Sequence, residues 1–295
     1  MKKIIDGLIT IVFLFIGFFS SFLSIKLRSK ISALFGTLSY YLLSSRRKQA
    51  KDNLLCAFPD YNSQKIKKIA KHSFQNLGIT FFELFAMPKM SDEELHSIIQ
   101  YENIELINNI KKRNKGIIFL SGHFGNWELL AYSIGVFTDL PITIIVKPQS
   151  NTFIDSLLNN YRTSRSNKIV SMYSAARTII SVITKGEVIA LLADQSATED
   201  KDLYIDFFGR KTATYKVVAD LALRFNIPIV MGFAVRQPNA TYKVQLLEVD
   251  YTDLQNDKNG VYELTRRHVK VLEDAIRLNP AHWTWMHNRW KHTKI

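Results

Sequence analysis

Residues 115–130 (KGIIFLSGHFGNWELL) dictate most of what this chain can become. Ile117, Ile118, Phe119 and Leu120 form an unbroken apolar run, the pattern of a strand covered on both faces. Gly122 and Gly125 then permit a sharp change of direction. Asn126 is a good helix N-cap, and Glu128 falls in the first helical turn, where the macrodipole favours an anion. The stretch reads as buried strand, tight turn and new helix. His123 stands just beyond the carboxyl end of the strand, and Glu128 follows five residues later.

On one continuous helix, residues five apart are rotated by roughly 140° and do not face each other. Across a strand–turn–helix junction they can converge. A carboxylate that accepts the Nδ1–H of an imidazole fixes its tautomer and stabilises the imidazolium, leaving the other nitrogen to take a proton from a hydroxyl. The same residues also suit a plainer arrangement, in which Glu128 only supports the helix start and His123 is a satisfied turn residue. The spacing alone does not choose between them.

From residue 114 onward, short apolar runs alternate with helical periodicity. Strands are expected at 116–121, 142–146, 168–172, 187–193, 227–234 and 242–249, and helices near 127–136, 153–165, 175–185 and 217–224. A further helix is expected over 63–87 and another over 261–277, ending before Pro280. The alternation predicts an α/β fold with a largely parallel sheet flanked by helices. In such sheets, sites gather at the carboxyl ends of strands, where both His123 and Asp194 fall.

The 295 residues are 47% apolar and can bury a substantial core. The single cysteine, Cys56, cannot form an intrachain disulfide, which suits a reducing compartment. The net charge of +13 is unevenly placed: residues 26–71 hold eleven lysines and arginines against Asp52 and Asp60. Such a patch serves nucleic acid, anionic lipid or an acidic protein. Residues 7–25 carry no charge, and 19 residues of helix reach about 28 Å, enough to cross a hydrocarbon core. A cleaved signal peptide is the alternative, but no small-x-small cleavage site ends the run. We expect a retained N-terminal transmembrane helix. The basic residues after it place the main body in the cytoplasm. The run could instead pair with apolar residues 31–43 as a hairpin in the interface.

The sequence Ser121-Gly-His-Phe-Gly-Asn-Trp-Glu128 resembles the His-x-x-x-x-Asp/Glu motif of the lysophospholipid acyltransferase superfamily, in its lipid A late-acyltransferase (lauroyl/myristoyl) branch. The segment from Arg46 through Phe58-Pro59, Asp194-Gln195, Phe207-Phe-Gly209 with Ala213-Thr214, and the Trp/His/Arg-rich tail 282–292 are similar to that branch as well. The resemblance covers most of the chain from about residue 46. It implies a glycerol-phosphate-acyltransferase-like sheet, with residues 1–25 as anchor and 26–295 as the acyltransferase domain. Within that domain, 26–110 would be helical and membrane-proximal, 111–250 the α/β core, and 251–295 the C-terminal helix and tail.

The resemblance further implies His123 as general base and Glu128 as its support. The functional arginine would be Arg162, with Arg165 as rival, neutralising phosphate or a developing oxyanion. A carboxylate at a strand end beside Gln195 can hold an acceptor hydroxyl or a basic side chain, and Asp194-Gln195 resembles the branch's Asp-Gln motif, although Ser196 stands where many members carry another acid. Gly209, Arg210 and Lys211 could hold phosphate. Acyl carrier protein would be the donor, an anionic lipid the acceptor, and the bacterial inner membrane the location, with no metal or organic cofactor. His282, His287 and His292 lack zinc-site spacing. Two other readings stay open: an acyltransferase for a lysophospholipid or amino-acid lipid, and a membrane-tethered nucleic-acid-binding protein whose tail aromatics stack on bases.

Overall fold

The computed structural model describes residue 7 and residues 15–113, 115–197 and 202–293. Its centre is a seven-stranded sheet made of β1 (Ile99–Tyr101), β2 (Ile117–Ser121), β3 (Ile142–Val146), β4 (Lys168–Ser171), β5 (Val188–Leu192), β8 (Ile229–Arg236) and β9 (Tyr242–Glu248). The order is β1-β9-β8-β2-β5-β3-β4, and every pairing is parallel except β8 with β9. The expected α/β class and largely parallel sheet are what the chain forms. A separate hairpin, β6 (Leu203–Phe207) with β7 (Arg210–Thr214), packs its first strand against the long helix over 258–278.

Alternation on the central strands explains why both faces are covered. Ile117 and Phe119 of β2 belong to one apolar cluster with Leu129, Leu130, Tyr132 and Ile134. Ile118 and Leu120 belong to the other, with Val218, Ala222, Leu264 and Leu272. The first face is closed by α4 (Asp92–Ile98), α5 (Glu105–Lys111), α6 (Trp127–Thr138) and α7 (Thr152–Arg162). The second is closed by α8 (Ala175–Thr184), α9 (Val217–Phe225) and α10 (Lys258–Leu278).

Three helices precede the sheet: α1 (Ile25–Leu42), α2 (Ser44–Ala57) and α3 (Ser63–Ala86). α1 and α3 cross at Gly36 and Gly78, where an added Cβ would run into the Phe74 carbonyl from one helix and the Ser32 carbonyl from the other. Only glycine allows backbones this close. The region expected to be wholly helical also contributes β1, an edge strand with Ile99 buried against β9.

The transmembrane helix expected over residues 7–25 lies partly outside the described residues. Within them, the helical stretch 15–20 stops at a turn over 21–24 before α1 begins. The serines supply the reason. Ser20 and Ser21 hydroxyls donate back to Gly17 and Phe18 carbonyls, and Ser24 caps α1 by accepting from the Leu27 N–H. The buried Arg28 guanidinium completes the break, donating to Ser20 O at 2.9 Å and Leu23 O at 3.1 Å. Among the described residues no helix is long and apolar enough to cross a membrane.

Candidate active site

The site sits where β2 and β5 end side by side. Ser121 is in register with Leu192, and both chains leave the sheet two residues before their functional side chain. His123 and Asp194 therefore arrive together. The His123 N–H donates to Asp194 Oδ2 at 2.8 Å, and Nδ1 lies 2.8 Å from Oδ1, so the carboxylate grips backbone and ring at once. The Trp283 indole N–H donates to the same Oδ2 at 2.8 Å. Gly122 leaves room for this: a Cβ there would fall 3.2 Å from the Asp194 carboxyl. Gly125 has φ +59°, and a Cβ on it would collide with the Ala234 carbonyl.

Glu128 does not hold the imidazole directly, the role that the resemblance implied for it; Asp194 does. Its carboxylate accepts two hydrogen bonds from Arg162, Nε to Oε2 at 2.9 Å and Nη2 to Oε1 at 2.5 Å, and one from the Trp127 indole at 3.2 Å. The reason lies in strand order. The register of β5 delivers a carboxylate to Nδ1 before the α6 helix can, so Glu128 is left to face α7. There it meets Arg162, at the last residue of that helix. Trp127 packs its ring edgewise on His123, with centroids 5.1 Å apart.

The two carboxylates tune the imidazole. Burial alone would push the His123 pKa down, but the Asp194 charge and hydrogen bond outweigh it, Glu128 adds to them, and the net shift is upward. Burial would raise Asp194, yet the imidazole and the bonds from His123 and Trp283 hold it down at about 2. Glu128 is likewise pushed up by burial and brought below the ordinary carboxylate range by Arg162. With Nδ1–H committed to Asp194, the His123 Nε2 keeps its lone pair. It accepts from the Gln195 side-chain amide at 3.3 Å.

From His123 to Asn126 the backbone donors of the turn are all occupied. His123 N–H goes to Asp194, Phe124 N–H to Gly122 O, Gly125 N–H to His282 O, and Asn126 N–H to Ala234 O. The turn's own N–H groups are spent on its shape. Arg162 places Nε and Nη2 on Glu128, and its Nη1 takes no part in that pairing.

The rival Arg165 points elsewhere. It donates to Tyr132 Oη at 3.1 Å, to Met90 O at 2.8 Å and to Asp92. Gly209, Arg210 and Lys211 are exposed at the β6–β7 turn, away from His123, Asp194 and Gln195 in the hydrogen-bond network of the described residues. The structure brings His123, Asp194, Gln195, Glu128 and Arg162 together, and leaves the other four outside that group.

The tail contributes more than its sequence suggested. Besides Trp283, Thr284 donates to the His123 carbonyl from its backbone at 3.0 Å and its hydroxyl at 2.9 Å. His287 Nε2 accepts from Ser196 N–H at 3.2 Å. Trp283, Trp285 and Arg289 are buried, so they are not free to stack on nucleic-acid bases.

Comparisons with known proteins identify the family. Residues 3–292 match the family described as bacterial lipid A biosynthesis acyltransferase. The chain belongs to that family. A lipid A biosynthesis acyltransferase of Haemophilus influenzae is 21% identical over 267 residues, covering 90% of this chain and 82% of the relative. The Escherichia coli lauroyltransferase of lipid A biosynthesis is 23% identical over 258 residues, with coverage of 87% and 82%. The corresponding myristoyltransferase is 19% identical over 271 residues, with coverage of 88% and 80%. Family membership replaces the nucleic-acid reading.

Proposed function

We propose that the protein transfers a fatty acyl chain from acyl carrier protein to a hydroxyl of a lipid A precursor, at the cytoplasmic face of the bacterial inner membrane. The observation that carries this reading is the His123 imidazole: its Nδ1 is fixed by Asp194, and its Nε2 lone pair is offered at the carboxyl end of the sheet in a chain of this family. The acceptor hydroxyl takes the place of the Gln195 amide at Nε2. Nε2 removes its proton as the oxygen attacks the thioester carbonyl carbon. The tetrahedral oxyanion is met by Arg162 Nη1. Collapse then breaks the C–S bond, and the imidazolium returns its proton to the departing thiolate.

Asp194 is the positioning carboxylate, and Glu128 acts through Arg162 by holding the guanidinium in place. Gly209, Arg210 and Lys211 are assigned to a phosphate of the lipid acceptor, since an exposed turn can reach a head group beyond the reacting centre. The exposed basic residues Lys48, Lys65, Lys67 and Lys68 suit an acidic carrier protein. Membrane contact is assigned to an apolar surface on the N-terminal helices. Phe15, Phe18, Phe22, Leu34, Leu38 and Leu42 are all exposed there, Phe22 by 69% and Leu42 by 79%.

The test is in vitro transfer with purified protein. Acyl carrier protein loaded with a fatty acid and a lipid A precursor are supplied, and the product is read by mass spectrometry. Transfer from the carrier that weakens as salt rises supports the reading. Equal rates with acyl-CoA at every salt concentration remove the carrier protein from it, and a product acylated only on an added lysophospholipid removes lipid A.

A further inference from the structure

A second buried carboxylate is bonded to the turn that presents His123. Glu83, near the end of α3, is only 3% exposed. Its Oε2 accepts from Asn126 Nδ2 at 2.6 Å and from Tyr242 Oη at 2.6 Å. Asn126 is completely buried and caps α6, with its Oδ1 accepting the Leu129 N–H at 2.9 Å. One side-chain amide is therefore bonded at both ends: the NH2 faces α3 and the carbonyl faces the helix start. A helical turn earlier on α3, Thr80 donates to Gly125 O at 3.2 Å. α3 thus holds the turn at two consecutive residues.

The chemistry of that amide makes the contact directional. An asparagine rotated by 180° presents its NH2 to the helix start and can no longer cap it, because capping needs an acceptor. Glu83 Oε2, which accepts in both of its bonds, selects the orientation with Nδ2 toward it. We propose that Glu83 is a positioning residue for acyl transfer: it fixes the Asn126 amide, hence the first turn of α6, hence Glu128 and the arginine it carries. This inference rests on the acyl-transfer reading above.

Exchanging donor and acceptor provides the test. Asn126→Asp sets two carboxylates against each other, although aspartate is itself a good N-cap. Adding Glu83→Gln supplies an NH2 that can donate to the new carboxylate and restores the pairing in the opposite sense. Four proteins are compared: the parent, Asn126→Asp, Glu83→Gln, and the double variant. We expect Asn126→Asp to lower kcat about tenfold or more with KM little changed, and the double variant to recover most of it, the non-additivity of two groups sharing one task. If Asn126→Asp turns over like the parent, the inference is overturned. It is also overturned if the double variant regains the parent's melting temperature while kcat stays low, since Glu83 then supports only the fold. Should Asn126→Asp fail to fold, the double variant is judged against the parent on kcat alone. Absence of transfer by the parent protein overturns instead the reading on which this one rests.

Discussion

At the scale of single residues, the imidazole is held on one side and available on the other. On the proposed mechanism the base works in its neutral form, so activity should rise with pH through the His123 pKa. Asp194 lifts that pKa, which places the acid limb of the pH–rate profile above the ordinary histidine value of about 6.5. Asp194→Asn removes the lifting charge. Its limb should move to lower pH while the maximal rate falls, as read from single-turnover rates across pH. His123→Ala should cost roughly 10²–10⁴ in the chemical step with a near-parental melting temperature. The pair act as a unit, so the double variant should be little worse than His123→Ala alone. A folded, active His123→Ala protein would remove the mechanism. Arg162 differs in kind, because it neutralises a buried partner. Arg162→Ala strands the Glu128 carboxylate and should cost about 3–5 kcal/mol of stability in addition to rate, measured by denaturant titration. Glu128→Gln should cost less stability, since it strands no buried anion.

At the scale of elements, the outcome turns on which strands are neighbours. The apolar run 117–121, its glycine turn and the α6 cap are legible in the sequence because they follow from nearest-neighbour chemistry. Strands β2, β3, β4, β5, β8 and β9 and helices α6 to α9 are legible to within a few residues for the same reason. β6 and β7 are not. Leu203, Ile205 and Phe207 alternate with Tyr204 and exposed Asp206 next to an acid-rich stretch, and another strand rather than a helix follows, so the hairpin falls outside the strand–helix alternation. Asp194 is legible as a site residue, but not as the partner of Nδ1. That pairing depends on β2 lying beside β5, and no local feature encodes strand order. The matching offset appears only in the fold: both strands end two residues before the polar side chain, whereas in the sequence the apolar residues stop at Leu120, three before His123, and at Ala193, one before Asp194. The element that carries Trp283 can be tested in the same terms. Trp283→Phe keeps the packing but removes a donor to a buried carboxylate. It should cost about 1–3 kcal/mol and move the acid limb of the rate profile, because Asp194 then binds its proton more readily.

At the scale of the whole molecule, the apolar surface and the catalytic end of the sheet are connected. Gly17 is seated so closely that a Cβ on it would fall 3.2 Å from Phe85 Cβ and 3.4 Å from the hydroxyl of Tyr161, the residue before Arg162. Replacing Phe18, Phe19 and Phe22 by serine should weaken binding to anionic vesicles in a sedimentation assay. Turnover of detergent-dispersed substrate should change far less. If vesicle binding is unaffected, the aromatic surface is not the membrane contact.

Chain order gives the buried tail a consequence in time. Trp283 and Thr284, which secure Asp194 and the His123 carbonyl, follow every strand of the described sheet in the sequence. Synthesis therefore delivers them last. While the ribosome still encloses that segment the sheet can assemble, as domains do during synthesis, but the imidazole has no finished seat. The seat of the imidazole is completed only when the segment emerges and docks, so a nascent chain with its sheet already formed is not yet a finished acyltransferase.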